Sequence, residues 1–104
     1  PMLNATQLCR CLADDTRLAL VSLLAASDEA CVCELVDRLA APQSTISRHL
    51  GLLRQCGIVT ARRDGTWMHY RINPDLPAWA LASIDLLAEP AREQLGLEPV
   101  RKAC

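Results

Sequence analysis

The fold is decided by residues 41–57, which read APQSTISRHLGLLRQCG. Pro42 ends the preceding helix, because proline disfavours a helical conformation for the residue before it. Gly57 ends the following helix as a left-handed C-terminal glycine. The residues between them predict an amphipathic helix over about 43–55, because apolar side chains recur at spacings of four and three: Ile46, Leu50 and Leu53.

Three helices are predicted on the N-terminal side of this stretch, over about residues 5–12, 17–26 and 34–40. The first and third carry leucines four residues apart, and the second is apolar along its length. Asp14-Asp15-Thr16 supplies cap residues for the second helix. The third helix and the helix after Pro42 are joined by a tight turn, which predicts a helix-turn-helix over about residues 34–55.

On the C-terminal side of this stretch, the spacing of the hydrophobic residues changes to every second residue, as in a β-strand. Residues 58–63 and 66–72 are rich in β-forming side chains, and Asp64-Gly65 between them is a favoured two-residue hairpin turn. We therefore predict a β-hairpin over about 58–72. A mainly α chain whose helix-turn-helix is followed by such a hairpin has the order of a winged helix-turn-helix domain.

A last helix is predicted over about residues 76–88. Its apolar side chains cover most of its circumference: Trp79, Leu81, Ile84, Leu86 and Leu87. A helix that is apolar nearly all round must be buried on both sides, and in a small domain the second side fits a partner. We expect a homodimer formed through this helix.

Length and composition predict one globular domain over residues 1–104. With 51% hydrophobic and 22% charged residues, the chain is not of a disordered class. No apolar run approaches the ~20 residues of a membrane helix, and no secretion signal pattern begins the chain, so we expect a cytoplasmic protein without a membrane partner. Phosphate-loop, nucleophile-elbow and His-Glu-x-x-His motifs are absent from the sequence, so no enzyme activity is expected.

The charge is uneven along the chain, although the net charge is only −1. Residues 41–72 hold five arginines against one aspartate, whereas the flanking segments are acidic. This basic segment coincides with the predicted helix-turn-helix and hairpin, which favours operator DNA as a partner. The candidate DNA-contacting residues supply hydroxyl, amide and cationic groups for base edges and phosphates: Gln43, Ser44, Thr45, Ser47, Arg48 and His49 in the helix, and Arg62 and Arg63 in the hairpin.

Six cysteines in a chain of this class indicate metal or redox chemistry. Cys31 and Cys33 stand at the predicted start of the first helix of the helix-turn-helix. Inside a helix, positions two apart point about 200° from each other, but at a helix start the extended first residue allows both sulfurs to converge. A helix N-terminus also favours the thiolate form, which binds soft metals. The two histidines have no histidine partner at helical spacing and are not predicted metal ligands.

Four segments taken in order resemble the ArsR/SmtB family of metal-responsive repressors: Ala13–Leu18, Cys31–Leu35, Ser44–Leu50 and Gly65–Arg71. The Cys-Val-Cys-Glu-Leu segment is similar to the arsenic-responsive branch. The resemblance implies a homodimeric winged-helix repressor that holds operator DNA and releases it when arsenite or antimonite binds. Cys31 and Cys33 are then the expected ligands.

One residue departs from that branch, which commonly carries a third cysteine where this chain has Val36. A third ligand is therefore expected from Cys9, Cys11 or Cys104, and the resemblance allows it to come from the other protomer. Cys56 is expected to be a buried helix-end residue. Three alternatives stay open: a cadmium- or lead-responsive repressor with four thiolates, a redox-switch regulator that uses Cys31 or Cys33, and a thiol-rich metal carrier.

Overall fold

The computed structural model describes residues 3–98. It contains five helices and three strands in this part of the chain: α1 (Ala5–Leu12), α2 (Asp15–Ala25), β1 (Ala30–Cys31), α3 (Val32–Leu39), α4 (Gln43–Gln55), β2 (Val59–Asp64), β3 (Trp67–Ile72) and α5 (Ala78–Leu95). This order confirms the predicted mainly α, winged helix-turn-helix fold. None of the described helices is long and apolar enough to cross a membrane.

Helix α2 forms the centre of the domain. Its consecutive residues Ala19 to Leu24 are all buried, and the helix packs against α1, α4 and α5. The predicted apolar face of α4 is confirmed, because Ile46, Leu50 and Leu53 are completely buried. The position of α4 is thus fixed by the packing of one face on the core, while its other face remains at the surface.

A short strand that the sequence did not predict joins the cysteine segment to the hairpin. The sheet has the antiparallel order β1-β3-β2, with Ala30 opposite Tyr70 and Cys31 opposite His69. Two residues without a hydrophobic alternation are too few to be recognised as a strand in isolation. Because Cys31 ends β1 and immediately precedes α3, it belongs to both the sheet and the helix-turn-helix.

The turn at the tip of the hairpin is shifted by one residue from its prediction. Asp64 pairs with Trp67, so the two connecting residues are Gly65 and Thr66, and not Asp64-Gly65. Gly65 has a φ of 63°, which glycine adopts at low energy. The glycine therefore takes the first connecting position, and Asp64 becomes the last residue of β2.

The helix-turn-helix begins slightly earlier than predicted, because α3 starts at Val32 and not near residue 34. Its turn depends on Ala40, which adopts a left-handed conformation with φ 49° and ψ 39°. A non-glycine residue seldom occupies this region. The α4 boundaries, Gln43–Gln55, agree with the prediction.

Helix α5 continues past residue 88 to Leu95 although Pro90 lies inside it. Pro90 has no backbone N–H to donate to the carbonyl of Leu86, and Leu86 is 78% exposed, so the interruption lies at the surface of the helix. One face of α5 is buried against α2 through small and branched residues: Ala80, Ile84, Ala88 and Ala91. Trp79, Leu86 and Leu87 remain exposed on another face.

We expect Asp14→Ala to lower the free energy of unfolding by about 1 kcal/mol, because Asp14 caps α2 by accepting from the Arg17 backbone N–H at 3.0 Å. Asp14→Asn keeps an acceptor and is the matched control. The pKa of Asp14 is lowered, chiefly by that hydrogen bond. The charge therefore stabilises the fold above the ordinary pKa of aspartate, and this is lost as the pH falls through the lowered pKa.

Urea unfolding of the three proteins at equal concentration, at neutral and acid pH, measures both effects. A loss of stability for Asp14→Ala no larger than that for Asp14→Asn would contradict the capping role.

Candidate thiolate site and nucleic-acid interface

Cys31 is the N-cap residue of α3, with an extended backbone at φ −73° and ψ 147°. Its sulfur accepts from the backbone N–H of Cys33 at 3.4 Å. Its own backbone N–H donates to the Glu34 carboxylate at 3.1 Å. The side chain therefore points along the helix axis towards the unpaired amides of the first turn, where negative charge is stabilised.

The two sulfurs of this segment converge, as the helix-start argument predicted. The Cys33 thiol lies 2.8 Å from the Cys31 sulfur and donates to it. Cys31 is only 2% exposed, whereas Cys33 is half-buried. A ligand would therefore reach this pair from the Cys33 side.

The candidates for a third ligand are placed differently from one another. Cys9 is exposed on α1, and Cys11, on the opposite side of that helix, is buried. Cys11 is bonded to Cys56, the C-cap residue of α4, so its sulfur is engaged away from the Cys31 pair. Cys104 lies outside the described residues. Over residues 3–98, no three His, Cys, Asp or Glu side chains gather into a metal site.

The surface of α4 presents most of the predicted DNA-contacting side chains. Four of them are exposed and Thr45 is half-buried; the exposed ones are Gln43, Ser44, Ser47 and Arg48. Helix α4 begins after Pro42 without a side-chain cap. Its first backbone N–H groups are thus left for an external acceptor such as a phosphate oxygen.

His49 corrects one prediction, because it is only 6% exposed and does not face outward with the others. It follows Ile46 by three residues and precedes Leu53 by four, so helical periodicity places it on the inner face. Its Nδ1 lies 3.2 Å from Arg17 Nη1, and its Nε2 lies 3.3 Å from Arg48 Nη2. His49 therefore contacts the arginine beside it in the chain, and a direct DNA contact is not supported.

Arg17 is a structural residue that the sequence reasoning missed. Its Nε donates to the Cys11 carbonyl at 2.8 Å, while Nη1 contacts His49. Arg17 thereby connects the end of α1 to α4.

In the hairpin, Arg62 is already ion-paired. Its Nε and Nη2 donate to the two Glu29 carboxylate oxygens at 2.8 and 2.7 Å. This hydrogen bonding is the main reason that the pKa of Glu29 is lowered. Arg63 is exposed, and its side chain makes no hydrogen bond or ion pair with any other residue of the 3–98 segment. Of the two arginines predicted to contact DNA from the hairpin, which is the wing of the fold, Arg62 is therefore ion-paired within residues 3–98 and Arg63 is not.

Comparison with known proteins identifies the family. The family described as bacterial regulatory protein, arsR family, matches residues 14–61. The chain is also 51% identical over 79 residues to the arsenical resistance operon repressor of Escherichia coli K12, covering 76% of this chain and 68% of that protein. The chain belongs to the ArsR family. It is thus a DNA-binding transcriptional regulator and not an enzyme, which confirms the expectation from sequence.

Solved structures with the same fold agree with this assignment. HlyU from Vibrio cholerae superposes with a TM-score of 0.72 and 32% identity, covering 80% of this chain and 86% of that chain. The homodimeric winged helix-turn-helix domain of Mb0332 from Mycobacterium bovis, a possible ArsR-family regulator, superposes with a TM-score of 0.68 and 30% identity. The match covers 86% of this chain and 80% of that chain.

Proposed function

We propose that this ArsR-family protein is a homodimeric repressor that releases its operator when arsenite or antimonite binds to Cys31 and Cys33. The observation that carries the proposal is the 2.8 Å approach of the two sulfurs at the N-cap of α3. The name of the Escherichia coli relative, an arsenical resistance operon repressor, supports the choice of inducer.

The chemistry of the pair suits a trivalent metalloid. Thiolates are soft ligands, and the Cys31 sulfur already accepts a hydrogen bond from the Cys33 backbone N–H in the first turn of α3. A trivalent metalloid takes three thiolates, so one more sulfur is required. Cys9 is the stronger candidate on α1, because it is exposed whereas Cys11 is bonded to Cys56. Cys104 and a cysteine from the other protomer remain alternatives.

The position of Cys31 explains how binding weakens the contact with DNA. Cys31 pairs with His69 of β3 and caps α3, which packs against α4. Drawing both sulfurs around one ion changes the backbone that the sheet and the helix-turn-helix share. Inducer and DNA then favour different conformations, and each weakens the other's binding by the same factor.

An operator-release titration tests the inducer. The operator fragment is selected by the protein itself from random duplex DNA, and release is followed with a phosphine reductant, which has no thiol to compete for arsenic. We expect arsenite and antimonite to release DNA at lower concentrations than cadmium, lead or zinc. Release first by cadmium or lead would instead establish the four-thiolate repressor, and release only by an oxidant would establish the redox switch.

For the operator contact, we expect Arg48→Ala to weaken specific binding by about 1–3 kcal/mol, the range for loss of one base contact. Arg48 is exposed on α4, and its guanidinium contacts the buried His49 ring. Arg54→Ala removes the same charge from the last turn of α4 and is the matched control. Fluorescence anisotropy with operator and random duplexes measures the difference, and equal losses in the two variants would contradict base contact by Arg48.

A further inference from the structure

The ion pair between Glu29 and Arg62 joins two parts of the chain that are far apart in sequence. Glu29 immediately precedes β1, and Arg62 lies on β2 opposite His69 of β3. Both carboxylate oxygens are used, and His69 Nδ1 lies 3.7 Å from one of them. The Arg62 side chain is nevertheless 56% exposed, so the pair is at the surface.

A guanidinium presents a planar fork of donors that fits a carboxylate or a phosphate in the same bidentate way. The Nε and Nη2 atoms that Glu29 occupies form one of the two edges by which a guanidinium can bind a phosphate in a bidentate way. The two acceptors cannot share this edge. Arg63, on the other face of the same strand, has no such partner in the part of the chain that the structure describes.

We propose that Glu29 is an internal competitor of the DNA backbone: its carboxylate occupies Arg62 in the free protein and is exchanged for a phosphate when the wing binds DNA. The proposal rests on the operator-binding part of the proposed function and is independent of the inducer. Glu29 thereby lowers the affinity of the wing for every DNA sequence.

The first consequence concerns Glu29→Gln, which removes the negative charge but keeps the shape of the side chain. We expect this variant to bind a short duplex of mixed sequence roughly two- to five-fold more tightly per protomer, the range for release of one surface ion pair. The gain should shrink as salt rises, because salt screens the internal pair in the unmodified protein. The dependence of affinity on salt should be at least as steep as before, since Arg62 reaches a phosphate in both proteins.

A double-mutant cycle with Arg62→Gln identifies the partner of Glu29. Arg62→Gln alone should weaken binding and reduce the slope of log affinity against log salt by about 0.9 per wing. In the Arg62→Gln protein, Glu29→Gln should raise the affinity for DNA by no more than the loss of one negative charge accounts for. Asp75→Asn is the control for net charge, because Asp75 lines a surface groove together with Glu29 and Arg62 but its carboxylate makes no ion pair with Arg62.

The cycle is measured by fluorescence anisotropy without arsenite, after circular dichroism has shown that each variant is folded. A Glu29→Gln affinity that is unchanged or weaker overturns the proposal, and so does a gain that persists in full without Arg62. Because the inducer is omitted, failure of arsenite-driven release and failure of this proposal are separate outcomes.

A second measurement uses the protein without substitution at Glu29. The Arg62 Nε–H signal in nitrogen-resolved NMR, assigned by its loss in Arg62→Gln, reports the hydrogen bond to Glu29. We expect this signal to shift when saturating duplex DNA is added, because the acceptor changes from carboxylate to phosphate. An identical signal with and without DNA would show that Glu29 keeps Arg62 in the complex, which contradicts the exchange.

Discussion

Replacing Cys31 or Cys33 by serine is expected to leave operator affinity unchanged and to abolish release by arsenite. Serine is a good N-cap residue, so Cys31→Ser preserves the start of α3 while removing the soft ligand. Loss of one of three thiolates should raise the arsenite concentration needed for release by more than about a hundredfold. A hundredfold loss is about 2.7 kcal/mol, as large as a typical allosteric coupling of ~1–3 kcal/mol, so the arsenite concentrations that release the unmodified protein would no longer act.

The remaining cysteines provide controls for this prediction. Cys11 and Cys56 face each other and not Cys31, and they remain neighbours when the phosphine reduces their bond, so we expect Cys11→Ser and Cys56→Ser to release DNA normally. Cys9→Ser should produce a graded loss if Cys9 supplies the third ligand. Anisotropy titrations of all five proteins with arsenite under phosphine reduction compare them. Release by Cys31→Ser at the unchanged arsenite concentration would show that the sensing site lies elsewhere.

The second large effect is expected at the exposed face of α5. Leu86→Glu should convert the dimer to a monomer and thereby abolish tight operator binding, because a monomer contacts only one half-site. Leu86 is 78% exposed and shares its face with Trp79, seven residues earlier, while the opposite face of α5 is buried against α2. A charge there would be buried without a partner in a dimer but solvated in a monomer.

Gln94→Glu adds the same charge at an exposed polar position of α5 and is the matched control. Sedimentation equilibrium at micromolar concentration measures the mass of each protein. A wild-type protein that sediments as an 11.4 kDa monomer, or a Leu86→Glu protein that stays dimeric, would contradict dimerisation through this face.

The elements that were predicted correctly are those determined by residues close together in the sequence. The apolar period of α4, the cap cluster before α2 and the extended residue at the start of α3 each lie within a few positions, and each is confirmed. The convergence of Cys31 and Cys33 followed from helix geometry alone. Their burial depends on packing and was not predicted.

The features that were missed depend on contacts between distant parts of the chain. The pairing of β1 with β3 and the ion pair of Glu29 with Arg62 connect segments separated by more than thirty residues. Charge counting treated Arg62 as an available cation because it did not consider an acidic residue outside the basic segment. His49 is different: its inner position could have been found from the spacing to Ile46 and Leu53, but its polar character favoured an outward prediction.

The other two differences between the prediction and the structure concern backbone conformation. Ala40 occupies a left-handed turn position for which the sequence gives no glycine signal, and α5 passes through Pro90 because the freed carbonyl is at an exposed position. Neither conformation is the one that the residue's own local preference predicts.

Arsenic K-edge absorption spectroscopy of the arsenite-loaded protein tests the central claim most directly, since it counts the sulfur atoms bound to arsenic. We expect arsenic to be coordinated by sulfur alone in the unmodified protein. We also expect a protein with both Cys31→Ser and Cys33→Ser to retain no sulfur-bound arsenic after dialysis. A double variant that holds arsenic with the same sulfur coordination as the unmodified protein would contradict the claim.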